Sequence, residues 1–246
     1  MSALKRSRGL IALFVLVFLL GLIAQLPAAV LAPPLLDLTR QRLRLENPQG
    51  TVWSGKAHLS CRLPDESSVA CGDWQWRFMP AALLEGKLRL NVQGARPSET
   101  ALLTLSAAGF EIERISLELP AMLIGSLDAK IAALKLGGYL HIDGRGLTAR
   151  RGQAQIVWRN MSSRLAPNVA LGEHTLNLNA TAQTWDVAMG TISGPLRFAG
   201  GGQIPHNGAA KLDLSATVAA NDVRLAPLLS LMGMEASPGV FRMQLQ

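Results

Sequence analysis

From Leu43 to its end the chain alternates apolar and polar residues in short runs, the pattern of strands with one buried and one wet face. Lys87-Leu88-Arg89-Leu90-Asn91-Val92 alternates without a break, as do Leu140-His141-Ile142-Asp143, Leu176 to Ala180, Lys211 to Val218 and the closing Phe241 to Gln246. Such alternation belongs to antiparallel sheet packed on one side. Turn signals fall between the runs: Asn47-Pro48-Gln49-Gly50, Arg96-Pro97-Ser98, Gly137-Gly138, Asp143-Gly144, Gly200-Gly201-Gly202 and Pro205-His206-Asn207-Gly208. With 23 Gly and 13 Pro at these intervals, the expected fold is mainly β, an antiparallel sheet that curls or closes like a barrel. Helical signals are short. Pro80 to Glu85 predicts one turn, Ala121 to Leu134 mixes helical and extended signals, and Ala226 to Gly233 predicts a short helix opened by proline and closed by glycine.

The N-terminal pattern is different. Gly9 to Ala24 carries no charge, Lys5, Arg6 and Arg8 precede it, and the next charge is Asp37. A run of this length reaches most of the way across roughly 30 Å of hydrocarbon. The expected organisation is a cytoplasmic tail over 1–8, a transmembrane anchor over 9–31 and a periplasmic all-β domain over 37–246, with Leu10, Phe14, Phe18 and Leu22 facing lipid. The basic flank puts the N-terminus in the cytoplasm. A cleaved signal peptide is the competing reading. Its best cleavage site, Val30-Leu31-Ala32, is followed by Pro33, and the apolar run exceeds the usual ~7–15 residues.

Charge adds little to this. The net charge is +7, but three of the 24 Lys and Arg stand in the N-terminal flank, which leaves 21 against 17 acidic residues. These are scattered, whereas nucleic-acid binding calls for a basic stripe with interleaved aromatics, so nucleic acid is not an expected partner. The two cysteines, Cys61 and Cys71, flank the turn-forming Pro64 to Ser68, and in an extracytoplasmic domain the pair predicts a disulfide across a hairpin. A metal site would need more closely spaced Cys or His ligands.

Candidate chemistry is sparse. His58, His141, His174 and His206 are far apart, and no H-E-x-x-H, G-x-S-x-G or G-K-[ST] motif occurs. Gly144 to Ala149 matches G-x-G-x-x-A but leads into strand-like residues, where a dinucleotide site needs a helix. Gly200-Gly201-Gly202 reads as a tight bend or bulge. Glu111 and Glu113 share a strand face, the minimum for paired-carboxylate chemistry, and a solvated face explains them as well. The five tryptophans fall at strand-like positions, where core packing is the default. No catalytic residue, cofactor or metal is expected, and the protein is read as no enzyme.

A set of small motifs, in order, resembles the type II secretion system protein N family of Gram-negative bacteria. They are Thr51-Val52-Trp53-Ser54-Gly55, Leu119-Pro120-Ala121, Gly137-Gly138-Tyr139-Leu140, Gly152 leading to Val157-Trp158, Leu165-Ala166-Pro167, Leu171-Gly172-Glu173-His174, Gly194 to Phe198 and Leu225 to Leu229. The resemblance implies a single-pass inner-membrane protein whose periplasmic domain takes part in exporting folded proteins through an outer-membrane secretin. Its implied partners are the inner-membrane platform and the connector to the secretin. The Cys61–Cys71 pair is not a family feature.

The family is also distantly similar to AsmA-like proteins, which implies an alternative, a lipid-handling role with membrane lipid as partner. The groove would be formed by Trp53, Leu88, Leu90, Leu140, Ile142, Leu212 and Leu214. For protein docking, the expected edge is the C-terminal strand, with Phe241, Met243 and Leu245, because an edge strand offers unpaired backbone groups.

Overall fold

The computed structural model describes residues 2–63, 66–126, 129–207, 211–218, 225, 228, 234–237 and 240–245, with side chains from Leu13 on except at 126, 129, 130 and 234–245. Alternation becomes strand throughout: β1 Leu43–Gly50, β2 Ser54–Arg62, β3 Ser68–Phe78, β4 Leu88–Gln93, β5 Thr100–Ser106, β6 Gly109–Pro120 and β7 Leu136–Leu147. The series continues with β8 Gln153–Ser163, β9 Gly172–Ala180, β10 Thr184–Ser193, β11 Leu196–Pro205, β12 Lys211–Val218, β13 Met234–Ser237 and β14 Val240–Leu245. All fourteen join one antiparallel sheet in which each of the first twelve strands lies beside its neighbours in sequence. Only the end departs from this order, with β14 lying between β12 and β13. The sheet is open: among the described residues β1 and β13 each have a single strand neighbour.

Register sorts the side chains by face. Across β6 to β10 one row reads Leu117, Ile142, Ile156, Leu176, Met189, and the next reads Ile115, Gly144, Ala154, Leu178, Val187. The intervening row, Ser116, Asp143, Gln155, Asn177, points the other way. The same split holds in β1 to β5, where Trp76 pairs with Val92 and Val92 with Ala101, while Gln75 pairs with Gln93. Side-chain period two thus gives one apolar and one polar face.

The apolar face is closed over at two places. Near β8 to β12, Leu134, Met161, Ala166, Val169, Leu171, Leu196, Phe198, Leu225 and Leu228 form the larger core. Near β1 to β4 a smaller cluster joins Ala28, Ala57 and Trp76, with Leu31, Leu45, Leu90 and Val92 against it. Between them the apolar rows of β5 to β9 are mostly half-buried.

Helices are few. α1 spans Ser2–Ala24, a 3-10 turn follows at Ala28–Leu31, and α2 is Ala32–Leu38. Pro80–Glu85 forms the expected turn, as 3-10 helix ended by Gly86 in the left-handed conformation. The mixed stretch after Pro120 resolves into a 3-10 helix at Ala121–Ser126 and α3 at Ala129–Ala133. The helix expected over 226–233 lies outside the described residues apart from Leu228, which is fully buried.

Among the described residues no helix is long and apolar enough to cross a membrane; the side chains of α1 are described only from Leu13, so Leu10 lies outside them. α1 ends at Ala24, and Ala28 is buried with Ala57 and Trp76. Several expected turns are corrected. Asn47-Pro48-Gln49-Gly50 makes no turn: it is a bulge in β1, with Asn47 at φ 49° and the register shifted between Glu46 and Gln49. Gly137-Gly138 and Asp143-Gly144 lie inside β7.

Gly200-Gly201-Gly202 is neither bend nor bulge. These residues pair in regular register with Met189, Ala188 and Val187 on one side and Leu214, Asp213 and Leu212 on the other. A Cβ at Gly200, Gly201 or Gly202 would collide with the carbonyl of Asp213, Val187 or Lys211 respectively. The triplet answers to close approach of three backbones, which sequence alone does not distinguish from a turn.

Candidate functional site

The best-defined constellation is the junction between α1 and the sheet. The β1–β2 turn, residues 51–53, holds the carbonyl end of α1. Trp53 donates its Nε1–H to the Ile23 carbonyl at 2.8 Å, the Val52 N–H donates to the Leu26 carbonyl at 2.9 Å, and Pro27 bridges Thr51. The Trp53 contact reaches a carbonyl of the last helical turn, which a helix end leaves without an intrahelical partner. The turn is tied to the sheet in its turn. Trp76 donates to the carbonyls of Thr51 and Val52, both at 3.2 Å, the Phe78 N–H donates to the Trp53 carbonyl at 2.6 Å, and the Trp53 and Phe78 rings lie 5.1 Å apart. The described side chains of the helix, from Leu13 to Ala24, are all exposed. Phe14 is 71% exposed, and Phe18 and Leu22 are exposed with it.

Cys61 and Cys71 are joined in a disulfide across β2 and β3, their Cα atoms 5.9 Å apart. A register break between His58 and Ser60 lies beside it.

The polar face carries a chain of paired side chains. Ser60 donates to Glu46 at 2.8 Å, His58 Nδ1 lies 2.9 Å from Asp73, Arg89 bridges Glu113 at 2.9 Å, and Arg96 binds Glu118. A shallow cleft of about 390 Å³ on this face is lined by Asp143, Arg145, Gln153, Gln155, Asn177 and Asn179. Glu111 and Glu113 do not form a carboxylate pair. Glu113 falls at the register shift between β5 and β6 and accepts from Thr104 at 2.6 Å; this hydroxyl first, and then Arg89, hold its carboxyl below the usual carboxylate range. Among the described residues no three His, Cys, Asp or Glu are placed to hold a metal ion.

His174 was not expected in the core. It is 1% exposed, with Nδ1 at 3.1 Å from the Thr191 hydroxyl, its ring edge-on to Phe198 at 4.8 Å and Nε2 without a partner among the described residues. Burial pushes its pKa down, against a smaller opposing effect of the backbone at Leu171. Next to it, Gly172 at φ 116° and Gly194 at φ 115° bring β9 and the β10–β11 turn into contact so close that a Cβ on either would strike the other's backbone.

The C-terminal edge is a partial correction. β14 pairs with β12 along Val240 to Leu245 and with β13 over Val240 to Arg242. Phe241 is therefore flanked on both sides, whereas Met243 to Leu245 have a strand on one side only among the described residues. The side chains of all three lie outside the described residues.

A family model described as "Type II secretion system (T2SS), protein N" matches residues 41–244. The chain belongs to this family. Membership gives the secretion protein a role in type II secretion. Its match covers the whole sheet from just before β1 into β14. Several motifs singled out from sequence fall on structural joints: Thr51 to Gly55 on the α1 junction, Leu171 to His174 and Gly194 to Phe198 on the β9–β11 contact. No curated protein and no solved structure matches the chain.

Proposed function

We propose that this protein is a non-enzymatic, inner-membrane-anchored component of the type II secretion apparatus, with its sheet in the periplasm docking the platform and the connector. The observation that supports the anchor is the grip of the β1–β2 turn on a helix whose described apolar side chains, from Leu13 on, are exposed. Lys5, Arg6 and Arg8 favour a cytoplasmic N-terminus. Deleting the gene is expected to strand secreted proteins in the periplasm, with export restored by the full chain. Normal export and normal assembly of the machine in the deletion strain would overturn the reading.

Docking is expected along Met243 to Leu245, where backbone groups have a strand on one side only among the described residues. A chain ending at Arg242 keeps the β13–β14 pairing, and its circular dichroism should be unchanged while co-purification with the platform or connector weakens. Undiminished capture excludes this edge.

The half-buried apolar rows between the two core clusters favour a second reading, lipid handling. Intact-mass measurement of the protein extracted in mild detergent tests it: absence of co-purifying phospholipid removes it.

A further inference from the structure

Antiparallel order places every second turn at the same end of the sheet, and the end that holds α1 has a composition of its own. Strand direction assigns to it the β1–β2 turn, the 3-10 helix Pro80–Glu85, the β5–β6 turn and the β7–β8 turn, because Phe78 meets Trp53, Leu88 pairs with Leu105, Leu105 with Phe110, and Ile112 with Leu147. Leu88, Leu105 and Phe110 therefore form one cross-strand row on the mouth of the apolar face, and all three are exposed. Beside them the short helix buries Ala82 and turns Leu83 and Leu84 outward, Leu84 being 93% exposed. Lys87 follows, half-buried and paired with Glu85 at 3.2 Å. The β7–β8 turn adds Arg150 and Arg151, exposed and without an acidic partner among the described residues.

We infer that this rim, Leu83, Leu84, Leu88, Leu105 and Phe110 with Arg150 and Arg151, rests on a lipid bilayer, its apolar side chains in the interface and its two arginines on anionic headgroups. The inference deepens the membrane reading and rests in part on it. Two observations select a bilayer over a protein partner. The rim is continuous with α1, whose exposed apolar side chains begin where the β1–β2 turn ends its grip, so a helix in the membrane brings this end to the surface. An apolar row bordered by exposed arginines is also the composition suited to the boundary between acyl chains and anionic headgroups. Among the described residues the exposed large apolar side chains of the far end are Met122, Tyr139 and Ile192, which form no cross-strand row: Met122 lies in the 3-10 helix Ala121–Ser126, Tyr139 pairs with Arg159 and Ile192 falls in a register break.

Spin labels on single engineered cysteines test this in the full chain, because both native cysteines are in the disulfide and no other thiol competes. Labels at Leu84 and Phe110, compared with one at Ile192, would be read in vesicles containing phosphatidylglycerol. Ile192 is 56% exposed and Phe110 55%, so the two differ in which end they occupy and not in exposure. The expected result is higher collision with oxygen and lower collision with a water-soluble nickel chelate at Leu84 and Phe110 than at Ile192. Equal, aqueous readings at all three sites overturn the inference.

A fourth label at Phe14 separates the two ideas. Lipid at Phe14 with water at Leu84 and Phe110 leaves the anchor standing and removes the rim contact. Water at Phe14 with lipid at the rim sustains the surface contact and removes the anchor. Replacing Arg150 and Arg151 by Glu should shift the Phe110 label toward water in these vesicles and leave it unmoved in phosphatidylcholine alone. No shift in either removes the role given to the cations.

Discussion

At the scale of single residues, the tryptophans are staples. All five donate Nε1–H to a main-chain carbonyl: Trp53 to Ile23, Trp74 to Cys71, Trp76 to the β1–β2 turn, Trp158 to Gly137 and Trp185 to Ala149. A large ring with one donor suits a half-buried sheet, since the ring covers apolar area while the N–H satisfies a carbonyl left out of the ladder. Replacing Trp53 with Phe keeps a ring against Phe78 and removes the donor. It should lower stability by about 1 kcal/mol and speed amide exchange at 23–26 and 51–53, both readable by hydrogen-exchange mass spectrometry.

His174 carries a pH dependence of definite sign. Its pKa in the folded protein is pushed below the unfolded value, so the unfolded chain binds the proton more readily. Its stabilising contribution is complete above about pH 6.5 and is lost as pH falls from there through the lower folded value. The urea midpoint should drop between pH 7.5 and pH 5, and the drop should be smaller in His174→Leu. An equal drop in both proteins would show that other groups carry the dependence.

At the scale of elements, hairpins dominate because most strands find their partner across a short connection. The Cys61–Cys71 link closes a loop of sequence separation 10, and chain entropy for so short a loop gives roughly 2–3 kcal/mol. Replacing both cysteines with Ser should cost about that in chemical denaturation and leave the sheet in place. The disulfide was legible in the sequence, as were most strands and the turn at Pro80–Glu85, since each depends on neighbours within a dozen residues. The bulge at Asn47 and the glycine triplet in β11 were misread for a physical reason: glycine marks a tight turn and a close backbone approach alike. The order of β13 and β14 was not legible either, because the later strand, β14, takes the place beside β12 and leaves β13 outside it.

For the whole molecule, the organising fact is one sheet with two unlike faces. The same new side chain should therefore have opposite consequences on the two sides. Ile142→Glu puts a carboxylate among Leu117 and Ile156 and forfeits ~1.5–3 kcal/mol of apolar burial, with the desolvation cost in addition. Gln153→Glu, opposite Arg145 on the polar face, should stay within about 0.5 kcal/mol. Urea midpoints of the two variants decide it, and similar losses would contradict the face assignment.

The alternation was written in the chain, and with it antiparallel strands with an apolar and a polar side, the disulfide, the N-terminal helix and the family. These follow from local period, spacing and ordered motifs. Tertiary structure alone decided that the sheet stays open, that β13 lies outside β14, that His174 is buried, and that the β1–β2 turn grips α1 at the end where Leu84 and Phe110 gather. Each of these depends on residues far apart in the chain meeting across strands. The period of two says which way a side chain points, and only the register says what it points at.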